Sequence, residues 1–158
     1  MSLQIKPAPV RRSVRVKVAQ QRAFDLFTES FGQWWPKSHS IIGKSPQQTA
    51  IIEPRAGGRW YEIGEDGSEC DWGEVLVWEP PHRIVLSWRL SLDFAYDPTI
   101  HTEVEVRFTP LPGGGTEVEL VHSKLEGYGA RVGEAEKVFS GDCAWGSLLG
   151  AYEALVAA

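Results

Sequence analysis

The side chains with acid–base, nucleophilic or metal-binding capacity in this sequence are few and dispersed. His39, His82, His101 and His122 show no H-x-x-x-H spacing, and no C-x-x-C accompanies them. The donor patterns that hold zinc or another transition metal are therefore missing, and neither a metal nor a cofactor is expected. His122 continues the alternation of Val118 and Leu120, which turns its imidazole toward the same side of a strand. There it serves either as a hydrogen-bonded structural histidine near the end of a sheet or as a group that orients a ligand. Glu62, Asp71 and Glu74 lie on or beside strand segments. A strand carboxylate turned inward has its charged form disfavoured and can act as a general acid or base. Glu62 and Glu74 are the candidates for such an orienting role. No G-x-S-x-G elbow supports a hydrolase triad. The glycines at 113–115 lie between two strands, so they form a hairpin turn rather than a phosphate cradle, and Gly57-Gly58 is a reversal of the same kind. No catalytic residue stands out.

The aromatic residues are the better lead. Seven Trp, four Tyr and six Phe are many for 158 residues, and such side chains present flat apolar walls, with an indole N–H in the case of Trp. Trp34 and Trp35 end a short helix, while Trp60, Trp72, Trp78 and Trp88 fall on strands. Trp88 shares parity with Ile84 and Leu86, so it suits a core as well as a cavity, as does Trp145. The candidate cavity residues are Trp34, Trp35, Trp60, Tyr61, Trp88, Phe108, His122, Leu149 and Tyr152. Of these, Trp34, Trp35, Trp60 and Tyr61 are expected at the mouth.

The elements that would position these residues follow from periodicity. Residues 1–12 read as a loose arm, and a single domain is expected over 13–158. Val14, Val16 and Val18 alternate with Arg15 and Lys17, which predicts a strand from Ser13 to Val18. Phe24, Phe27 and Phe31 then fall at helical spacing until Gly32 and Trp34-Trp35-Pro36 stop the helix. After a loop over 36–48, short strands are predicted at Thr49–Glu53, Gly58–Ile63, Asp71–Trp78, Arg83–Leu90, Thr102–Thr109 and Thr116–Ser123, separated by Gly-, Pro- and Asp-bearing turns. Val104, Val106 and Phe108 alternate with Glu103, Glu105 and Arg107, the pattern of an antiparallel sheet covered on one face. From Glu134 to Ala158 a stripe of Trp145, Leu148, Leu149, Tyr152, Leu155 and Val156 predicts a long amphipathic helix. Gly141, Gly146 and Gly150 in this stretch predict a kink near Gly141 or a close approach to the sheet. The expected class is α+β, a curved antiparallel sheet around a long C-terminal helix, with an apolar cavity left between them.

Charge and cysteine usage narrow the partners. A net charge of −5, opposed by no basic cluster, disfavours nucleic acid and anionic membrane surfaces. Arg11, Arg12, Arg15 and Lys17 read as the solvated edge of the first strand. Cys70 and Cys143 are too few for a disulfide framework and read as structural thiols of a reducing compartment. With no leader pattern and no long apolar run, a cytoplasmic location is expected.

Four stretches carry a family resemblance: RAGGRWYE at 55–62, WGEVLVWEPPHRIVLSW at 72–88, TEVEVRFTPLPGGGTEVELVHS at 102–123, and a closing helix in which Trp145 is followed by Leu149, Tyr152 and Val156. On these residues the chain, from Ser13 to Val156, resembles the SRPBCC (START-like) superfamily. Within it, the chain is similar to the family related to the C-terminal domain of the activator of Hsp90 ATPase. The resemblance implies a helix-grip (Bet v 1-like) fold. It also implies a range of functions, since the superfamily includes lipid, hormone and polyketide binders, aromatase/cyclases and co-chaperone domains. A small hydrophobic ligand is the expected partner. A cyclase- or lyase-like enzyme acting on that ligand and a chaperone-associated interaction domain are the alternatives. The eukaryotic co-chaperone joins this domain to a separate N-terminal domain, so a chaperone partner is not expected of this chain alone. A homodimer would show itself as an apolar patch paired across a two-fold axis.

Overall fold

The computed structural model describes residues 8–41, 45–141 and 144–158. A single seven-stranded antiparallel sheet, with strand order β1-β7-β6-β5-β4-β3-β2, curls into a half-barrel. Its strands are β1 (Val10–Val16), β2 (Gln47–Ile52), β3 (Arg59–Gly64), β4 (Glu69–Glu79), β5 (Arg83–Trp88), β6 (Thr102–Pro110) and β7 (Thr116–Ser123). Between β1 and β2 the chain forms α1 (Gln20–Thr28), α2 (Phe31–Trp34) and a 3₁₀ turn at Lys37–His39. After β7 a 3₁₀ stretch at Leu125–Arg131 leads into α3 (Val132–Ser140) and α4 (Trp145–Ala157). This is the helix-grip arrangement.

The alternation in the hairpin β6–β7 is what divides inside from outside. Val104, Val106 and Phe108 are buried on one face beside Val118, Leu120 and His122, and the register pairs Val106 with Leu120 and Phe108 with Val118. On the other face Arg83 and Arg107 both bond Glu105. The inner face is covered by α1, α2 and α4 through an aromatic core. Phe27 meets Phe108, Trp34 and Tyr152 at ring separations of 5.7, 4.9 and 5.2 Å. The Tyr152 hydroxyl donates to the Ala23 carbonyl at 2.7 Å, so α4 is tied to α1 as well as packed on it.

Several boundaries differ from the sequence expectation by a few residues, and three differences change an element. Val10, Arg11 and Arg12 belong to β1 rather than to the loose arm, because β1 pairs with β7 from Val10 opposite His122 onward. The short helix is two helices, since the backbone leaves regular helix geometry at Ser30 (φ −98°, ψ 18°). The C-terminal stretch, expected as one long helix with a kink near Gly141, is broken there into two: α3 ends at Gly141, whose backbone is extended (φ −70°, ψ 167°). Cys143 lies outside the described residues.

The sheet carries irregularities that matter for the site. Trp60 pairs with Gly73 while Tyr61 pairs with Asp71, so Trp72 is the extra residue of a bulge in β4. Gly73 then runs against β5 so closely that a Cβ there would sit 1.9 Å from the Ser87 carbonyl oxygen. Only glycine fits.

Candidate functional site

The sheet and the C-terminal helices leave a cavity of about 350 Å³ between them, within the range of small-molecule sites. Its floor is set by two strands: the β4 bulge turns Trp72 inward, and Trp88 points the same way from the end of β5. Trp35, the residue that stops α2, forms one side together with Ser38, His39, Ser40 and Ile41. Val138 and Phe139 of α3 and Trp145 and Leu148 of α4 close the opposite side, with Leu90 and Phe94 from the loop after β5. Phe94 is half exposed and has φ of 58°, a left-handed conformation that a bulky side chain rarely adopts.

The wall is aromatic and continuous. Trp35 and Trp72 rings lie 5.0 Å apart, and Trp88 and Trp145 rings 5.2 Å apart near a right angle. Trp60 stands behind this wall, 5.4 Å from Trp72 and 5.6 Å from Trp88. The indole N–H groups of Trp35, Trp60 and Trp72 are buried and have no protein acceptor among the described residues, and that of Trp88 is directed at the Tyr128 hydroxyl. A buried donor left unmet costs roughly 1–3 kcal/mol, and the Trp35 and Trp72 N–H groups are enclosed within the wall rather than open to the cavity.

His122 lies directly behind the wall and is fully buried. Its Nδ1 accepts the Trp145 indole N–H at 3.1 Å, which leaves the proton on Nε2, 2.9 Å from the Thr102 hydroxyl. Thr102 in turn donates to the Trp88 carbonyl at 2.9 Å. Burial lowers the His122 pKa from its ordinary 6.5 to about 3, so the ring is neutral. Both nitrogens are committed to a chain of bonds that ties one cavity tryptophan to the backbone of another.

Glu62 has a comparable role on the opposite side. It is fully buried, and its Oε1 accepts the Ile41 backbone N–H at 2.7 Å while its Oε2 accepts from the Gln47 amide. Lys37 reaches the Gln48 carbonyl at 2.6 Å. The turn that carries Ser38, His39 and Ser40 is therefore pinned to β2 and β3 at both ends.

Of the residues expected at a cavity from sequence, Trp35 and Trp88 line it. Trp60 and His122 back the lining residues. Trp34, Phe108, Leu149 and Tyr152 are in the core; the Trp34 indole donates to the Phe27 carbonyl at 3.1 Å. Tyr61 is on the outer face, where the Arg59 guanidinium lies 3.8 Å above its ring. Glu74 is also outside, bonded to Arg89 at 3.0 Å. Trp72, Phe139, Trp145 and Leu148 were not among the expected lining residues, although Trp145 and Leu148 belong to the apolar stripe of the last helix. Nothing in the local pattern around His39 marks it as a wall residue.

Among the described residues the remaining titratable groups do not gather into a second centre. His82 lies 3.3 Å from the Gln20 amide at the far end of the sheet. Cys70 sits opposite Glu62, and burial, then the Glu62 and Asp71 carboxylates, push its thiol up, away from the reactive thiolate. Among the described residues no three His, Cys, Asp or Glu side chains gather as a metal-binding group. No described helix is long and apolar enough to cross a membrane.

Comparison with known proteins finds that residues 17–149 match the family described as activator of Hsp90 ATPase homolog 1-like protein. Among solved structures, the anthrahydroquino-γ-pyrone synthase Txn09 is 35% identical, with a TM-score of 0.63 over 95% of this chain and 97% of that one. The self-sacrificing resistance protein CalC from Micromonospora echinospora is 28% identical, with a TM-score of 0.66 over 94% of both chains. Protein NE0264 from Nitrosomonas europaea, at 15% identity and a TM-score of 0.64 over 95% of this chain and 94% of that one, shares the fold. No curated protein matches the chain.

Proposed function

This chain belongs to the activator of Hsp90 ATPase homolog 1-like family, and we propose that it binds a small, flat, hydrophobic or aromatic molecule in the cavity between the sheet and the C-terminal helices. One observation carries the proposal: a cavity of about 350 Å³ walled by Trp35, Trp72, Trp88, Phe139 and Trp145. Ring faces attract other ring faces and edges beyond what burial alone supplies, by about 0.5–1.5 kcal/mol per pair. No Asp, Glu, Lys or Arg is found among the described lining residues, so an uncharged guest meets no unpaired charge. The name of the 35% identical synthase describes a fused-ring, oxygen-bearing product, which is the size and shape such a wall accommodates.

The test is a titration of the protein with 1,8-dihydroxyanthraquinone, read by indole fluorescence. Saturable 1:1 quenching is expected. Leu148, buried in the α4 wall, is the residue to block the cavity: Leu148→Trp places a second ring system in the guest's space and should weaken binding at least tenfold with the circular dichroism spectrum unchanged. Quenching that is unsaturable, or equally strong in Leu148→Trp, would overturn the proposal.

A further inference from the structure

Of the described residues that line the cavity, only Ser38 and Phe94 are exposed. The opening to solvent therefore lies between the turn at 37–41 and the loop after β5. Phe94 is the apolar member of the pair, and 49% of it is exposed. Two features set it apart from the rest of the wall. Trp35, Trp72, Trp88, Phe139 and Trp145 each meet another ring, whereas Phe94 meets none among the described residues. Its φ of 58° lies in the left-handed region, which glycine and asparagine tolerate and a bulky side chain does not.

The turn itself has no need of a phenylalanine. The Ser91 N–H donates to the Ala95 carbonyl at 2.8 Å and the Phe94 N–H to the Ser91 carbonyl at 2.9 Å. The Ser91 hydroxyl oxygen accepts the Asp93 and Ala95 N–H groups at 3.3 and 3.2 Å. At the base of the loop the Tyr128 hydroxyl donates to the Leu90 carbonyl at 2.6 Å, and Asp93 meets Arg131 at 3.4 Å, which fixes the turn to the stretch leading into α3. None of these bonds uses the Phe94 ring. A strained residue persists where its surroundings hold it in place, and such residues cluster at ligand clamps.

We propose that Phe94 is the mouth residue of the cavity, a ring held in an unfavourable backbone conformation so that it covers a bound guest. The inference rests on ligand binding in this cavity. In the empty protein the ring exposes apolar surface and has no ring partner, whereas over a flat guest it gains both burial and a ring contact. The strain is carried in both states, but the compensating contact exists only in the bound one. A guest leaves by displacing this ring, so the effect falls on the dissociation rate, where most affinity differences between related complexes reside.

The experiment measures the recovery of indole fluorescence on rapid dilution of protein preloaded with 1,8-dihydroxyanthraquinone, alongside thermal melting of the unliganded protein. Phe94→Asn suits the left-handed backbone and removes the ring. It should release the anthraquinone about fivefold faster or more, with the melting midpoint unchanged or raised. Phe94→Tyr, which keeps both ring and strain, should release it at close to the wild-type rate. Release from Phe94→Asn at the wild-type rate overturns the proposal and leaves ligand binding in place. Faster release with a lowered midpoint also overturns it, because the ring would then belong to the fold rather than to the mouth. Wild-type protein that the anthraquinone does not quench saturably removes ligand binding and this inference together.

Discussion

His122 shows how much one side chain can decide here. Its ring is buried, neutral and bonded at both nitrogens, to Trp145 and to Thr102. Burial holds its pKa near 3, against 6.5 in the unfolded chain. The folded form therefore resists protonation, and the unfolded form binds more protons between those two values. Its contribution to stability is complete above pH 6.5 and is lost progressively as the pH falls toward 3. Chemical denaturation across that window should show stability rising with pH, and His122→Gln should flatten the rise. At pH 7 the same substitution should cost about 1–3 kcal/mol, because it disrupts the acceptor for a buried indole. The inward direction of His122 was legible from its parity with Val118 and Leu120. Its partners were not, because Trp145 and Thr102 are distant in sequence and only the fold brings them to it.

At the scale of elements, β4 sets the shape of the cavity floor. Simple alternation would place Trp72 and Glu74 on one face of this strand. The bulge at Trp72 breaks that parity, so Trp72 and Val75 are both buried while Glu74 turns out to Arg89. A single inserted residue leaves no signature in composition, which is why the strand could be read from sequence but not its facing. Gly73 is the residue that permits the arrangement. Gly73→Ala forces a Cβ onto the Ser87 backbone oxygen, a contact that side-chain rotation cannot relieve. A loss of about 3 kcal/mol in urea denaturation is expected, at the upper end of the cost of overpacking, together with weakened ligand quenching. The helices behaved differently. Their apolar stripes were plain in the sequence, and the glycines marked the break at Gly141, but the position of the wall residues depends on how α3 and α4 are angled after that break. No local pattern encodes that angle.

For the molecule as a whole, a ligand that binds only the native form must stabilise it. At a free concentration one hundred times the dissociation constant, the gain is about 2.7 kcal/mol. A domain of this size shifts its melting midpoint by about 2–4 °C for each kcal/mol. Saturation with a cavity ligand should therefore raise the midpoint by roughly 5–10 °C in a thermal scan, and at the same ligand concentration the rise should fall to about half or less in Leu148→Trp. The curved antiparallel sheet and the helix it grips followed from periodicity and from family resemblance. The wall's composition did not, because it draws on four separate stretches of chain, around residues 35–41, 72, 88–94 and 138–148.

One feature of the sheet reaches beyond the native state. The first strand, β1, has a single strand neighbour, β7, with Val10 opposite His122 and Val16 opposite Thr116. During synthesis β1 leaves the ribosome long before its partner does, and loop closure over so long a span is slow. Until β7 emerges, the nascent chain exposes an unpaired edge and an uncovered aromatic face, the condition in which chaperones engage unfinished proteins. The cavity wall, which draws on residues as late as Leu148, is complete only once the last helix has emerged.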